Sequence, residues 1–145
     1  MDKEIGYVKI NKFARTTYDE FLQALVKLKN EGAERYILDL RGNGGGFMEM
    51  AILMANEFLP ENSLIVYTQG REKKNNQQFW SDGNGSFQDV ELAILIDEYS
   101  ASASEILAGA IQDNDRGLIV GRRSFGKGLV QRQFELTDSS AIRMT

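Results

Sequence analysis

Short apolar runs alternate with amphipathic segments along the chain. The runs predict β-strands at 7–10, 36–40, 64–68, 92–97 and 118–120. Apolar residues at helical spacing predict helices between strands, the second at roughly 48–59 and the third at 102–112. Strands that alternate with helices favour an α/β fold, in which a twisted, mainly parallel sheet is flanked by helices.

The first predicted helix has a start signal and a stop signal. Thr17 is expected to be its N-cap with Glu20 as the capping-box partner, and Gly32 is expected to end it. Five apolar residues fall on one face of this segment: Phe21, Leu22, Leu25, Val26 and Leu28. The pattern predicts an amphipathic helix.

The remaining segments carry weaker signals. Pro60, the only proline, is expected to close the second helix. Residues 70–88 are polar without periodicity, which indicates a long surface loop or a ragged hairpin. Residues 129–136 alternate as a half-buried strand does, and 141–145 have the pattern of a further strand. No internal repeat or domain boundary is evident, so the 145 residues are interpreted as one domain.

Composition and charge remove several classes of function. No apolar run approaches the roughly 20 residues that a membrane-spanning helix needs, and no N-terminal apolar stretch marks a signal peptide. The net charge is −4 and the basic residues form no long stripe, which argues against nucleic acid as the main partner.

The absence of histidine and cysteine is more restrictive. Without them the chain cannot build a Ser-His-Asp triad, a Cys-His pair, a disulfide or a zinc site of the usual kind. Acid–base chemistry near neutral pH would have to use Lys, Asp, Glu or Tyr.

Four glycines surround Asn43 within residues 42–46, directly after the second predicted strand. Glycines at a strand-to-helix junction permit positive φ angles and let backbone N–H groups point at an anion, and the next helix adds its positive end. A tight turn that needs small residues is the alternative explanation. Four glycines in five positions exceed what one tight turn requires.

A serine-rich segment at 100–105 follows the predicted strand at 92–97. A serine at such a strand-to-helix junction exposes its hydroxyl, and adjacent N–H groups can stabilise an oxyanion. Ser102 with Glu105 also fits the S-x-x-E pattern of a capping box, which needs no catalysis. Taken alone, the segment favours the capping explanation.

Lys127 stands between two glycines just before the apolar residues at 129–136. A solvated lysine in a hairpin turn is the structural explanation. A lysine that acts as a general base must instead be desolvated, which lowers the pKa of an amine. Both explanations remain open from this segment alone.

The lysine segment also nearly matches a nucleotide-binding loop. Residues 121–127 have the pattern G-x-x-x-x-G-K, and 93–97 could serve as an acidic Mg²⁺-binding strand. However, Gly128 stands where a P-loop has Ser or Thr, and a strand rather than a helix is predicted to follow. Nucleotide binding is therefore the weakest function considered.

Three sequence blocks together resemble the signature of an enzyme family. They are LDLRGNGGG at 38–46, SASASEILAGA at 100–110 and SFGKGLVQ at 124–131. Their order is that of the carboxyl-terminal processing (tail-specific) proteases, peptidase family S41, and the similarity covers nearly the whole chain. The resemblance implies a fold like that of the Clp protease (ClpP) subunits and crotonases. It also implies a Ser–Lys dyad, which suits a chain without histidine.

The resemblance assigns roles to the matching positions. It implies that Ser102 is the nucleophile, that Lys127 is the general base and that Gln131 orients the lysine amine. It also implies that the N–H groups of Ala103 and Gly45 form the oxyanion hole, with no metal or other cofactor.

Two further positions follow from the same resemblance. Asp113 matches an acidic position of the family, and we expect its role to be structural. Gly44 stands where the family usually has proline, and this departure is expected to loosen the glycine loop.

The resemblance predicts a serine endopeptidase that cleaves polypeptides at or near their C-termini, in the bacterial cell envelope or periplasm. Nucleic acid and nucleotide are not expected as partners, and homo-oligomerisation is left open. Residues 1–145 would form a single catalytic-core domain without the family's N-terminal region, substrate-capturing PDZ domain and C-terminal strands, so activity of this piece alone is not implied. A non-catalytic binding domain of the same fold is the alternative.

Overall fold

The computed structural model describes residues 4–145, and this part of the chain contains eight strands and three helices. In chain order they are β1 (Ile5–Lys9), α1 (Thr17–Asn30), β2 (Arg35–Asp39), α2 (Met48–Asn56), β3 (Leu64–Thr68), β4 (Gln77–Trp80), β5 (Glu91–Ile96), α3 (Ala103–Asp113), β6 (Leu118–Gly121), β7 (Arg132–Glu135) and β8 (Ala141–Met144). Each predicted strand and helix is present, with its ends shifted by at most a few residues.

Four strands form one parallel sheet in the order β1-β2-β5-β6. Its register places Val8, Leu38, Ile94 and Ile119 side by side across the sheet. Leu38 and Ile94 are fully buried, whereas Ile37 on the opposite face of β2 is only partly buried. The α/β architecture with a mainly parallel sheet is confirmed, and its central strands are covered more completely on one face than on the other.

The three helices pack against the strands and against each other and complete the hydrophobic core. α1 contacts β1 and α2, while α3 packs on α2, β3 and β6. The largest fully buried side chains are Tyr36, Phe13, Phe58, Phe87, Leu25, Leu38, Leu40, Met54, Leu59, Ile94, Leu107 and Ile111. Burying one such side chain contributes roughly 1.5–3 kcal/mol, so packing stabilises these helices more than helix propensity does. No helix within residues 4–145 is long and apolar enough to cross a membrane.

The start of α1 differs from the prediction. Thr17 is its first helical residue, and the preceding Thr16 carbonyl accepts the Glu20 N–H at 3.1 Å. The Thr17 hydroxyl accepts the Ala14 N–H at 2.9 Å and donates to the Lys12 carbonyl at 3.0 Å. The predicted capping box of Thr17 and Glu20 is therefore wrong, because the loop before the helix takes the hydroxyl.

The segment after the second helix is a hairpin. α2 ends at Asn56, earlier than predicted and well before Pro60. Glu57, the next residue, holds the chain that returns to the sheet: its carboxylate accepts the Ser86 N–H and its carbonyl accepts the Phe87 N–H, both at 3.0 Å. Within 70–88, β4 pairs antiparallel with β3, so the hairpin alternative is correct for this segment.

The C-terminal hairpin corrects a second prediction. β7 and β8 pair with each other in a separate two-stranded sheet. The apolar side chains of Leu129, Val130, Phe134 and Leu136 are exposed. The predicted half-buried strand at 129–136 is therefore wrong in length and in burial, because no layer of the described chain covers its apolar side.

The parallel strands bring the three family-like blocks to one edge of the sheet. β2 leads into the glycine cluster, β5 into the serine segment and β6 into the lysine segment, and these three strands are neighbours. The carboxyl ends of parallel strands lie at the same edge, where α/β proteins bind their ligands. This edge is therefore the candidate site.

Candidate active site

The glycine loop, residues 41–46, is held by buried Asn43. The Asn43 side-chain amide donates to the Ile10 carbonyl at 2.7 Å, and its side-chain oxygen accepts the Gly45 N–H at 2.9 Å. The carboxylate of Asp97, just after β5, accepts the Gly42 N–H at 2.9 Å. The loop is thus attached to the chain after β1 and to the chain after β5.

Asp39 anchors the start of this loop. Its side chain is 1% exposed, and Arg41 donates to it from Nε at 2.9 Å and from a terminal nitrogen at 2.8 Å. Tyr7 donates its hydroxyl to the same carboxylate at 2.5 Å. The Arg41 guanidinium, helped by Tyr7 and Lys9, holds the pKa of Asp39 well below its usual range although burial opposes this.

Asp39→Asn is expected to lower the free energy of unfolding by roughly 2 kcal/mol at neutral pH, less than for a fully buried pair because Arg41 is half exposed. Because the pKa of Asp39 is lowered in the folded protein, its contribution is complete above the ordinary carboxyl pKa of about 3.9 and is lost as the pH falls from there toward the lowered pKa. Urea unfolding of both proteins measures this at about pH 7 and about pH 3. A difference of the same size at both pH values contradicts the assignment.

Hydrogen bonds fasten the serine segment to the glycine loop. The Ser100 hydroxyl donates to the Leu40 carbonyl at 2.8 Å. The Asn43 carbonyl accepts both the Ala101 N–H at 3.0 Å and the Ser104 hydroxyl at 2.8 Å. Ser100 and Ser104 are fully buried, so these hydroxyls are structural. Ser102, between them, instead takes part in a capping box with Glu105 at the start of α3.

Ser102 is the N-cap of α3, as predicted, and its backbone is strained. Its φ of 59° and ψ of −115° lie outside the regions that a residue with a side chain prefers. Strain of this kind costs about 1–3 kcal/mol and is found preferentially at functional sites. The Ala103 N–H, at the positive end of α3, has no hydrogen-bond partner within the described chain and is free to bind an anion.

Gly45 lies directly against Ser102. A Cβ atom at Gly45 would be 2.8 Å from the Ser102 Cβ, 2.9 Å from the Ala103 nitrogen and 2.6 Å from the Ala101 carbonyl oxygen. Its φ of +96° also favours glycine. Because Gly45 has no side chain, its backbone can lie this close to Ser102 and to the Ala103 nitrogen. The Gly45 N–H itself is bonded to Asn43.

The lysine segment is held against the serine segment by Glu105. One carboxylate oxygen of Glu105 accepts the Ser124 hydroxyl at 2.8 Å and the Gly126 N–H at 2.6 Å. The other accepts the Lys127 N–H at 2.9 Å and the Ser102 N–H at 2.8 Å. Burial alone would raise the pKa of Glu105, but these hydrogen bonds outweigh it and lower the pKa. Glu105 is therefore more than the capping-box partner that S-x-x-E predicts.

The predicted site residues are thus brought together in part. Ser102 and Lys127 have their amide nitrogens on the same Glu105 oxygen, and Ala103 and Gly45 adjoin Ser102. Gln131 is exposed and donates to the Thr145 hydroxyl at 3.5 Å, not to Lys127. Asp113 is exposed at the far end of α3 from Ser102. Two sets of contacts were not foreseen from the sequence. One is the set that Asn43 makes within the glycine loop and to Ile10, and the other is the set that Glu105 makes with the lysine segment.

Neither a nucleotide nor a metal site is evident at this edge. The lysine segment is followed by loop and β7, whereas a P-loop lysine must open a helix. Within residues 4–145, no group of three or more acidic side chains is arranged to hold a metal ion. The groups that meet at this edge are Ser102, Glu105, the lysine segment and backbone N–H groups of the glycine loop.

Comparison with known proteins identifies the family of the chain. A model of peptidase family S41 matches residues 4–145. The carboxyl-terminal-processing protease of Synechocystis sp. is 44% identical over 143 residues, which are 99% of this chain and 33% of that protein. Carboxyl-terminal-processing peptidase 3, chloroplastic, of Arabidopsis thaliana is 41% identical over 140 residues, 97% of this chain and 27% of that protein. The solved structure of a photosystem II D1 C-terminal processing protease has a TM-score of 0.83 and 34% identity, covering 97% of this chain and 36% of that one.

The chain belongs to peptidase family S41. Its curated relatives are serine peptidases named as carboxyl-terminal processing proteases, from bacteria and from a chloroplast. It spans about a third of the length of the two bacterial carboxyl-terminal-processing proteases that it matches.

Proposed function

We propose that this chain is the catalytic core of a serine endopeptidase that cleaves polypeptides at or near their C-termini through a Ser102–Lys127 dyad. The observation that carries the proposal is the meeting of three loops around Ser102. Gly45 and Ala103 border it on one side, and Glu105 links its N–H to the N–H of Lys127. Membership of a peptidase family supports the same chemistry.

In the proposed reaction, the neutral amine of Lys127 takes the hydroxyl proton of Ser102 while Ser102 Oγ attacks the scissile carbonyl. The Ala103 N–H donates to the resulting oxyanion, and Gly45 donates a second N–H, which it shares with Asn43 in the unliganded state. Lys127 returns the proton to the departing amine, which leaves an acyl-enzyme. Water then hydrolyses this ester, with its proton passing through Lys127.

The finer features of the function follow from the same proposal. The substrates are polypeptides that enter as extended C-terminal segments, and neither nucleic acid nor nucleotide takes part. The proposed location is the bacterial cell envelope or periplasm, and assembly into a homo-oligomer is compatible with it. Residues 1–145 act as one catalytic-core domain of a larger protease. Relatives named for carboxyl-terminal processing support the substrate class.

A fluorescein-labelled fluorophosphonate tests the nucleophile directly. Ser102 Oγ forms a bond to phosphorus and fluoride leaves, so an activated Ser102 becomes labelled. Mass spectrometry of the full product of the gene should find the adduct on the peptide that contains Ser102 and not on Ser100 or Ser104, which are buried. Ser102→Ala should prevent labelling. Labelling that persists in Ser102→Ala, or that falls on another serine, contradicts the proposal.

A further inference from the structure

We infer that Glu105 is a positioning residue that sets the lysine segment, residues 122–128, against Ser102, an inference that rests on the proposed function. Glu105 lies one turn into α3, so its own position is fixed by the helix whose N-cap is Ser102. Its carboxylate faces the lysine segment and binds it at three places, Ser124, Gly126 and Lys127. One side chain thereby connects the nucleophile to the base.

The two contacts to the reacting residues are made by a single atom. Glu105 Oε2 accepts the Ser102 N–H at 2.8 Å and the Lys127 N–H at 2.9 Å. Glu105 alone therefore joins the backbone N–H of Lys127 to the backbone N–H of Ser102. A change in the length or charge of this side chain alters the separation of the two reacting groups.

The lysine segment has few other attachments. It forms no helix or strand, and its other backbone bonds run from Arg122 to the Ile96 carbonyl at 3.2 Å and from Phe125 to the Ser100 carbonyl at 3.0 Å. The ion pair of Arg122 with Glu98 is exposed and contributes little. Glu105 is thus the main polar contact at the end of the segment that bears Lys127.

A capping role alone does not account for these contacts. A capping box requires only that the Glu105 carboxylate accept the Ser102 N–H. The additional donors from 124–127 come from another loop and meet both carboxylate oxygens. A carboxylate accepts at both oxygens, whereas the amide of glutamine would present donor hydrogens to two of these donors. Glu105→Gln therefore keeps the shape of the side chain but breaks half of its contacts.

Three variants of the full product of the gene test the inference with fluorescein-labelled casein as substrate. Glu105→Gln should lower kcat about a hundredfold with KM unchanged, because a small displacement of the base has an effect of this size. Ser124→Ala removes one donor but leaves the cap intact, and should lower kcat about tenfold. Ser124→Thr retains the hydroxyl and should restore most of the activity.

Glu98→Gln is the matched control, since the same change is made at an exposed glutamate near the site. It should leave kcat unchanged. Thermal unfolding should show that all variants are folded at the assay temperature, so that a fall in kcat does not report unfolding. If Glu105 only caps the helix, Ser124→Ala should have the wild-type kcat, and that result would overturn the inference. A wild-type kcat for folded Glu105→Gln would overturn it as well. Cleavage by Ser102→Ala would instead refute the proposed function itself.

Discussion

Lys127→Arg is expected to abolish turnover of fluorescein-labelled casein by the full product of the gene, with kcat falling by roughly a thousandfold or more. Guanidinium stays protonated and cannot accept the proton of Ser102, although arginine keeps the positive charge and the approximate length. Ser102→Ala and Lys127→Ala should each lower kcat by roughly four orders of magnitude. The double variant should lose little more than either single variant, because the two residues act as one unit.

Lys74→Arg serves as the control for the lysine replacement. Lys74 is exposed, lies in the hairpin segment and pairs with Glu72, so its replacement should leave kcat unchanged. Steady-state kinetics on the wild type and all five variants, with circular dichroism to establish folding, decide the outcome. Full activity in Lys127→Arg would remove lysine from the role of base and leave Ser102 as a helix cap.

Gly45→Ala is the second change with a large expected effect. The added Cβ would lie 2.8 Å from the Ser102 Cβ and 2.9 Å from the Ala103 nitrogen, so the glycine loop would have to move away from both residues. We expect kcat to fall at least about a hundredfold, as when an oxyanion-hole donor is removed. The positive φ at this position adds a stability cost of roughly 1–3 kcal/mol.

Gly44→Ala is the matched control for this clash. A Cβ at Gly44 meets no atom within 4 Å, and its φ is not in the left-handed region. Kinetics should therefore give near wild-type kcat for Gly44→Ala and a large loss for Gly45→Ala, with both proteins folded by circular dichroism. Equal kcat values for the two variants would show that the close approach of Gly45 to Ser102 is not needed for catalysis.

The sequence was sufficient to predict the mainly parallel sheet, the helices and the three segments that form the candidate site. Periodicity identifies strands and helices, and the ends of parallel strands necessarily meet. It was insufficient wherever the surroundings of a residue depend on the path of a loop or on which layer covers it. The Thr17 hydroxyl is taken by the loop before its helix, and the apolar residues of 129–136 have no covering layer.

The site was predicted less completely than the fold. S-x-x-E indicates a capping box, and the structure adds three contacts from the lysine segment to Glu105 that no local pattern encodes. Asn43 was noted only as the residue among glycines, yet its side chain connects the glycine loop to Ile10. The expected pairing of Gln131 with Lys127 depends on the course of a loop, which periodicity does not determine.

The arrangement of the site on neighbouring parallel strands has a consequence for the order of folding. The glycine loop follows β2, the nucleophile follows β5 and the base follows β6. These three strands pair side by side, although long crossovers separate them along the chain. Pairings of such high contact order form late and slowly. The base comes after the outermost of these strands, so the complete site exists only once the whole sheet has closed. In the proposed mechanism, a copy whose sheet is only partly formed is therefore inactive, because Ser102 and Lys127 are not yet held together.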